Sequence, residues 1–190
     1  MFRKIILSAP LVIAASMAQA VDAPPAMRTF VDSNVMEWAM SPEVISAVVA
    51  QNAETAGASA DQITAWDTAW RAEVGQSDQP LISEVMGREL SAMLKQKVAE
   101  SGGRITEIFV MDALGLNVAA SDVTSDYWQG DEAKYSKSYG AGSGAVFVDA
   151  VEFDESSQSY QGQISVSLTD PATGELVGAM TIGLNAEAFF

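Results

Sequence analysis

The chain has 190 residues, with 25 acidic and 10 basic side chains and a formal net charge of −15. So acidic a surface repels phosphate backbones and anionic lipid, which excludes nucleic acid as an expected partner. The absence of cysteine excludes disulfides and thiolate chemistry, and the absence of histidine leaves a serine nucleophile without an imidazole base.

The first twenty residues predict a cleaved secretory signal peptide. Arg3 and Lys4 precede an apolar run over residues 5–15, and the sequence AQA at 18–20 is a typical cleavage site. The apolar run is shorter than the roughly 20 residues that cross a bilayer. We therefore expect a mature chain from about Val21 that is periplasmic and has no transmembrane span. An uncleaved N-terminal anchor is the alternative.

Residues 21–103 carry apolar side chains at helical spacing. Ser41 followed by Pro42 predicts the start of one helix, and the capping-box spacing at 59–62 predicts the start of another. Pro80 predicts the start of a long helix that could pair two subunits in a homodimer. Its apolar stripe consists of Ile82, Met86, Leu90, Met93, Leu94 and Val98.

From residue 104 onward the sequence alternates between apolar and polar residues and predicts five strands. A tight hairpin at Asp112–Gly115 joins the first two. The strands are expected at 104–111, 116–121, 144–153, 160–168 and 175–185. In the fourth strand Gln161, Gln163, Ser165 and Ser167 share one face, and the apolar residues on the other face are expected to pack on the long helix.

Residues 122–144 form a long connection between the second and third strands, with a short helical piece. Connections of this length inside a domain are usually functional, and four aromatic residues make this one unlike a disordered linker. The polar face of the sheet is therefore either open to water or covered by this connection, which would form a polar pocket.

Three chemistries suit the acidic part of this connection. An EF-hand is excluded, because Tyr127 replaces the required glycine and Ala133 replaces the bidentate glutamate. An irregular calcium site at Asp126, Asp131 and Glu132 stays open, as does glycoside hydrolysis by Asp126 with either of the other two. Aromatic rings beside carboxylates would also bind an organic cation. In the simplest alternative, Tyr127 and Trp128 only anchor the loop to the core.

Several segments resemble the extracytoplasmic Cache sensor domains, also called PDC domains. They are SPEVISAV, FVMDALGLNVAAS, SDYWQGDEAKY and GELVGAMTIGLNAEAF, and the resemblance extends over residues 27–189. It implies an α+β fold, with a PAS-like five-stranded antiparallel sheet packed against long N-terminal helices. Residues 1–20 would be the signal peptide, 21–103 the helical segment and 104–190 the sheet core of the same domain.

The resemblance also implies a function, since Cache domains bind amino acids, amines or carboxylates between the sheet and its overlying loop. The predicted protein is a soluble periplasmic sensor that binds a small polar ligand, with cations among the candidates. It would signal to a membrane receptor or sensor kinase, because no signalling domain follows the last strand. No cofactor, metal or catalytic residue is predicted. The candidate ligand-binding residues are Asp126, Tyr127, Trp128, Asp131, Tyr139 and Asp149.

This sequence departs from the family's amino-acid-binding members in one respect. It lacks the arginine that those members bring to the ligand carboxylate, and Lys134 or Lys137 would replace it only in part. The alternative function is an acidic interaction subunit that binds no small molecule. A carboxylate-based hydrolase is third.

Overall fold

A computed structural model describes residues 22–154 and 159–190, so the predicted signal peptide lies outside the described residues. The N-terminal part is helical. Its helices are α1 (Pro25–Asn34), α2 (Met36–Ala39), α3 (Pro42–Thr55), α4 (Ala60–Glu73), α5 (Pro80–Met86) and α6 (Glu89–Glu100). None of the helices in the described ranges is long and apolar enough to cross a membrane.

The predicted helix starts of α3 and α4 are confirmed. Ser41 caps α3 by accepting a hydrogen bond from the N–H of Val44, and Ser59 caps α4 by accepting one from Gln62. Both serines have extended backbones, which is the conformation that lets a side-chain oxygen reach the first free N–H groups of a helix.

The prediction of one long helix from Pro80 to Val98 is wrong. Gly87 ends α5, and Arg88 takes an extended conformation before α6 begins. The side chain of Arg88 donates to the carbonyl oxygen of Val118 at 2.7 Å and to Oε1 of Gln51 at 2.5 Å. These charge-assisted bonds to other elements favour the break over a continuous helix. The predicted homodimer through a single long helix therefore has no such helix to use.

The six strands form one antiparallel sheet, which confirms the predicted α+β class. They are β1 (Ile105–Met111), β2 (Asn117–Ala120), β3 (Val146–Val148), β4 (Glu152–Asp154), β5 (Ser159–Thr169) and β6 (Leu176–Asn185). The order is β2-β1-β6-β5-β3, and β4 also pairs with β5. The predicted β1–β2 hairpin is confirmed, with the N–H of Gly115 bonded to the carbonyl of Asp112.

The predicted third strand, 144–153, is two short strands, and Asp149 lies between them instead of on a central strand. The side chain of Asp149 accepts a hydrogen bond from the N–H of Ala150 at 2.9 Å. Such a local bond competes with the strand ladder and interrupts it. Both short strands pair with β5, on the edge opposite β2.

The two faces of the sheet differ as the alternation predicts. Ile164, Val166 and Leu168 of β5 belong to the main core with residues of α1, α3 and α6. The predicted packing on one long helix is thus only partly correct, because Ile82 instead joins a second cluster around Trp70. The opposite face carries Glu107, Phe109, Gln161, Gln163, Ser165 and Thr181, and we call it the lid face.

Candidate functional site

Residues 122–144, which we call the lid, lie over the lid face of the sheet and enclose a cleft of about 560 Å³. The lid contains one short helix, α7 (Ala133–Ser136), and a 3₁₀ turn at Tyr139–Ala141. The predicted polar pocket between sheet and lid is confirmed by the residues that line this cleft. They are Glu107, Phe109, Asp149, Ala150, Glu152, Phe153, Gln161 and Gln163 from the sheet side, and Val123, Thr124, Ser125, Gln129, Glu132 and Lys134 from the lid.

The floor of the cleft is a carboxylate held by two amides. Oε1 of Glu107 accepts hydrogen bonds from Nε2 of Gln161 at 2.7 Å and from Nε2 of Gln163 at 3.0 Å. Gly183 lies opposite both Glu107 and Gln163 in the strand register. A Cβ atom at this position would lie 2.6 Å from Cγ of Glu107 and 2.7 Å from Nε2 of Gln161. The missing side chain of Gly183 therefore makes room for this arrangement.

The charges of the cleft are mostly negative. Four carboxylates line it, those of Glu107, Glu132, Asp149 and Glu152, and the ammonium of Lys134 is the one cation among the lining residues. Lys134 lies 2.9 Å from Oε2 of Glu132 and 5.2 Å from the centre of the Phe109 ring. Its charge is thus already engaged by a carboxylate and an aromatic face. The resulting potential attracts cations and hydrogen-bond donors.

Tyr127 points away from the cleft and anchors the lid to the helices. Its side chain is 6% exposed and stacks on Trp70 with the ring centres 5.4 Å apart. Burial raises the pKa of Tyr127 to about 12. The backbone N–H groups of Tyr127 and Trp128 both donate to Oδ1 of Asp67, at 3.0 and 3.1 Å. One carboxylate on α4 therefore fixes the start of the lid.

Two more aromatic side chains tie the lid to the β1–β2 turn. Nε1 of Trp128 donates to the carbonyl of Leu114 at 2.8 Å, and the hydroxyl of Tyr135 donates to the carbonyl of Ala113 at 2.6 Å. Tyr139 stacks on Tyr135 at 5.1 Å. These contacts hold the lid from the side opposite to Asp67.

Asp126 also bonds within the protein. Its carboxylate lies 3.3 Å from Nη2 of Arg71 and accepts a hydrogen bond from the side chain of Gln129. Burial, followed by the charge of Glu132, raises the pKa of Asp126, while Arg71 opposes this shift. Asp131 is exposed. Among the described residues no group of three or more acidic side chains could hold a metal ion.

The structure thus places the six predicted residues in different surroundings. Asp149 lines the cleft, whereas the other five are absent from its lining. Direct ligand contact by Asp126, Tyr127, Trp128, Asp131 and Tyr139 stays a prediction.

The sequence stage missed Glu107 and Asp67 as important residues. Glu107 had a signal, because it has the polar parity of β1, as Gln161 and Gln163 do in β5. Asp67 had none, because its partner Tyr127 is 60 residues away.

Comparison with known proteins gives similarity only at the level of structure. No family model and no curated protein matches the chain. The sensor domain of the V. cholerae histidine kinase DctB has 11% identity and a TM-score of 0.39, covering 85% of this chain and 58% of that domain. The sensory domain of the Campylobacter jejuni chemoreceptor Tlp3 has 13% identity and a TM-score of 0.42, covering 87% and 66%.

A third structure is the ligand-binding domain of the Pseudomonas fluorescens chemoreceptor CtaA in complex with L-serine, with 15% identity and a TM-score of 0.40. It covers 85% of this chain and 62% of that domain. The chain therefore spans less than two thirds of each of these three domains. These structural neighbours are sensor domains of histidine kinases and chemoreceptors, consistent with the resemblance to Cache domains.

Proposed function

We propose that this chain is a periplasmic sensor domain that binds a small polar ligand, an organic cation in particular, in the cleft beneath the lid. Binding would be reported to a membrane receptor or sensor kinase. The observation that supports this proposal is the lining of the cleft, where four carboxylates and two glutamine side chains surround an enclosed space of about 560 Å³.

The chemistry of the lining favours ligands that donate hydrogen bonds. A carboxylate is only an acceptor, and a glutamine that donates through Nε2 still has its carbonyl oxygen as an acceptor. An ammonium or amidinium group would gain charge-assisted bonds from Asp149 or Glu107. A carboxylate on the ligand would have to compete with Glu132 for Lys134. Amines without a carboxylate should therefore bind better than the corresponding amino acids.

The anchoring of the lid supports a role in reporting. The lid contacts α4 through Asp67 and the β1–β2 turn through Trp128 and Tyr135. A ligand that displaced the lid would act on both the helices and the turn. Interactions that differ between two arrangements are what allow a ligand to shift a conformational equilibrium.

The experiment compares amines with matched amino acids by thermal shift, and follows each stabilising compound by isothermal titration calorimetry. We expect an amine to bind and Asp149→Asn to raise its dissociation constant by about tenfold or more, because one charge-assisted bond contributes roughly 1.5–3 kcal/mol. Glu175→Gln, an exposed carboxylate outside the cleft lining, is the control and should leave binding unchanged.

Two results would count against the proposal. One is that no compound of the panel stabilises the protein. The other is that the amine binds Asp149→Asn and the wild-type protein equally well.

A further inference from the structure

A second concave surface lies on the other side of the sheet, between α3 and the corner where α5 meets α6. It has a volume of about 580 Å³. Its floor includes Ala47, Leu90 and Val118, all of which pack with the main core on the helix side. Because the ligand cleft lies on the lid face, this groove is separate from it.

Carboxylates border the apolar floor on both sides, and we call the whole surface the acidic groove. Glu43 and Glu54 stand on α3, and Glu84 and Glu89 stand on the α5–α6 side. All four residues are exposed. Within residues 22–154 and 159–190, no ion pair involves Glu43, Glu54 or Glu89, while Glu84 lies 2.9 Å from Nη2 of Arg88.

Arg88 does not offset this charge for an incoming group, because its donors are already used. Nη1 donates to Gln51 and to the carbonyl of Val118, and Nη2 donates to Glu84. The guanidinium is therefore part of the floor. What remains accessible on the border is acidic and requires a positively charged partner.

The shape of the groove suits a helix. It follows α3 from Glu43 to Glu54, which is about 16 Å at the rise of an α-helix. Along this line α3 presents Ser46, Ala47 and Ala50, whose small side chains allow the backbone of another helix to approach closely. An amphipathic helix places its apolar face into such a groove and its flanking charges against the border.

We propose that the acidic groove docks a basic amphipathic helix of a protein partner. The apolar floor takes the hydrophobic stripe of that helix, and its lysine or arginine residues pair with the glutamates on either side. Nucleic acid does not fit, since its phosphates would meet the same carboxylates. The proposal does not depend on a ligand in the cleft.

The test uses a synthetic helical peptide of about 18 residues, with a leucine stripe flanked by lysines, and measures its binding by fluorescence anisotropy. The groove variant is Glu43→Lys with Glu89→Lys. The control is Glu175→Lys with Glu187→Lys, which makes the same change in net charge at two exposed positions outside the groove. We expect equal affinity for wild-type and control proteins, and a dissociation constant raised by about tenfold or more in the groove variant. Circular dichroism would verify that both variants fold.

Carbodiimide cross-linking, read by mass spectrometry, locates the peptide and should join its lysines to Glu43, Glu54 or Glu89. Equal weakening in both double variants would overturn the proposal, because it would show attraction to net charge alone. Absence of binding would also overturn it. If spermidine competes as well as the peptide does, the groove is a small-cation site and the docking proposal is wrong. The groove variant should still bind the amine of the cleft, so failure of one proposal is distinguishable from failure of the other.

Discussion

Asp126 is the residue whose protonation the structure perturbs in the direction that matters for pH. Burial raises its pKa above the usual 3.8, and Glu132 adds to this shift. The protonated form is thus favoured more in the folded state than in the unfolded state. The stabilisation from this group is complete below pH 3.8 and is lost as the pH rises through the raised pKa.

Replacement of Asp126 by asparagine should remove this pH dependence and keep an oxygen acceptor for Gln129. We expect the wild-type free energy of unfolding, minus that of Asp126→Asn, to decrease as the pH rises above about 4. Urea unfolding of both proteins at a series of pH values measures this difference. A difference that stays constant or increases with pH would contradict the expectation.

The contact between α4 and the lid belongs to the scale of elements, and it depends on Asp67. Its carboxylate accepts bonds from two lid N–H groups and lies 2.7 Å from Nε of Arg71. The side chain is only 14% exposed, so water does not readily replace these bonds. The lid therefore depends on one helical carboxylate for its first fixed point.

Asp67→Ala should leave the N–H groups of Tyr127 and Trp128 without their acceptor. We expect a loss of about 2 kcal/mol in the free energy of unfolding, measured in urea. Asp78→Ala, an exposed loop carboxylate, is the matched control and should change stability by less than about 0.5 kcal/mol. Equal effects of the two substitutions would show that the lid is held by its aromatic contacts alone.

The break between α5 and α6 was missed because its cause is not local. The apolar stripe from Ile82 to Val98 fits one continuous helix, and a single glycine inside such a pattern is tolerated. The break depends on the bonds that Arg88 makes to Gln51 and Val118. By contrast, the caps at Ser41 and Ser59 could be predicted, because their partners lie three residues away.

For the molecule as a whole, the dominant electrostatic fact is the excess of 25 acidic over 10 basic residues. The cleft and the acidic groove lie on opposite sides of the sheet, and carboxylates surround both. Repulsion among these charges opposes the compact state, and dissolved salt screens it.

Raising sodium chloride from about 0.02 M to 0.5 M should therefore increase the melting temperature by a few degrees, on the order of 1 kcal/mol in stability. Differential scanning calorimetry measures the change. Glu175→Lys with Glu187→Lys reduces the negative charge by four units and should respond less to salt. A melting temperature that falls with salt in the wild-type protein would contradict this view.

The sequence by itself determined the features that depend on neighbours along the chain. These are the helix caps, the β1–β2 hairpin, the alternation that separates an apolar from a polar sheet face, and the acidic charge. They could be predicted because capping, turn formation and strand alternation each act within a few residues. The polar pocket followed from this alternation together with the length of the lid.

Only the tertiary structure decided which side chains face the cleft. Tyr127 turns inward because Trp70 offers an aromatic surface and Asp67 accepts the backbone N–H groups beside it, both from a helix far away in the sequence. Glu107 faces the cleft because Gln161 and Gln163 hold it from another strand. Such choices depend on packing between distant segments, and a pattern along one segment carries no information about them.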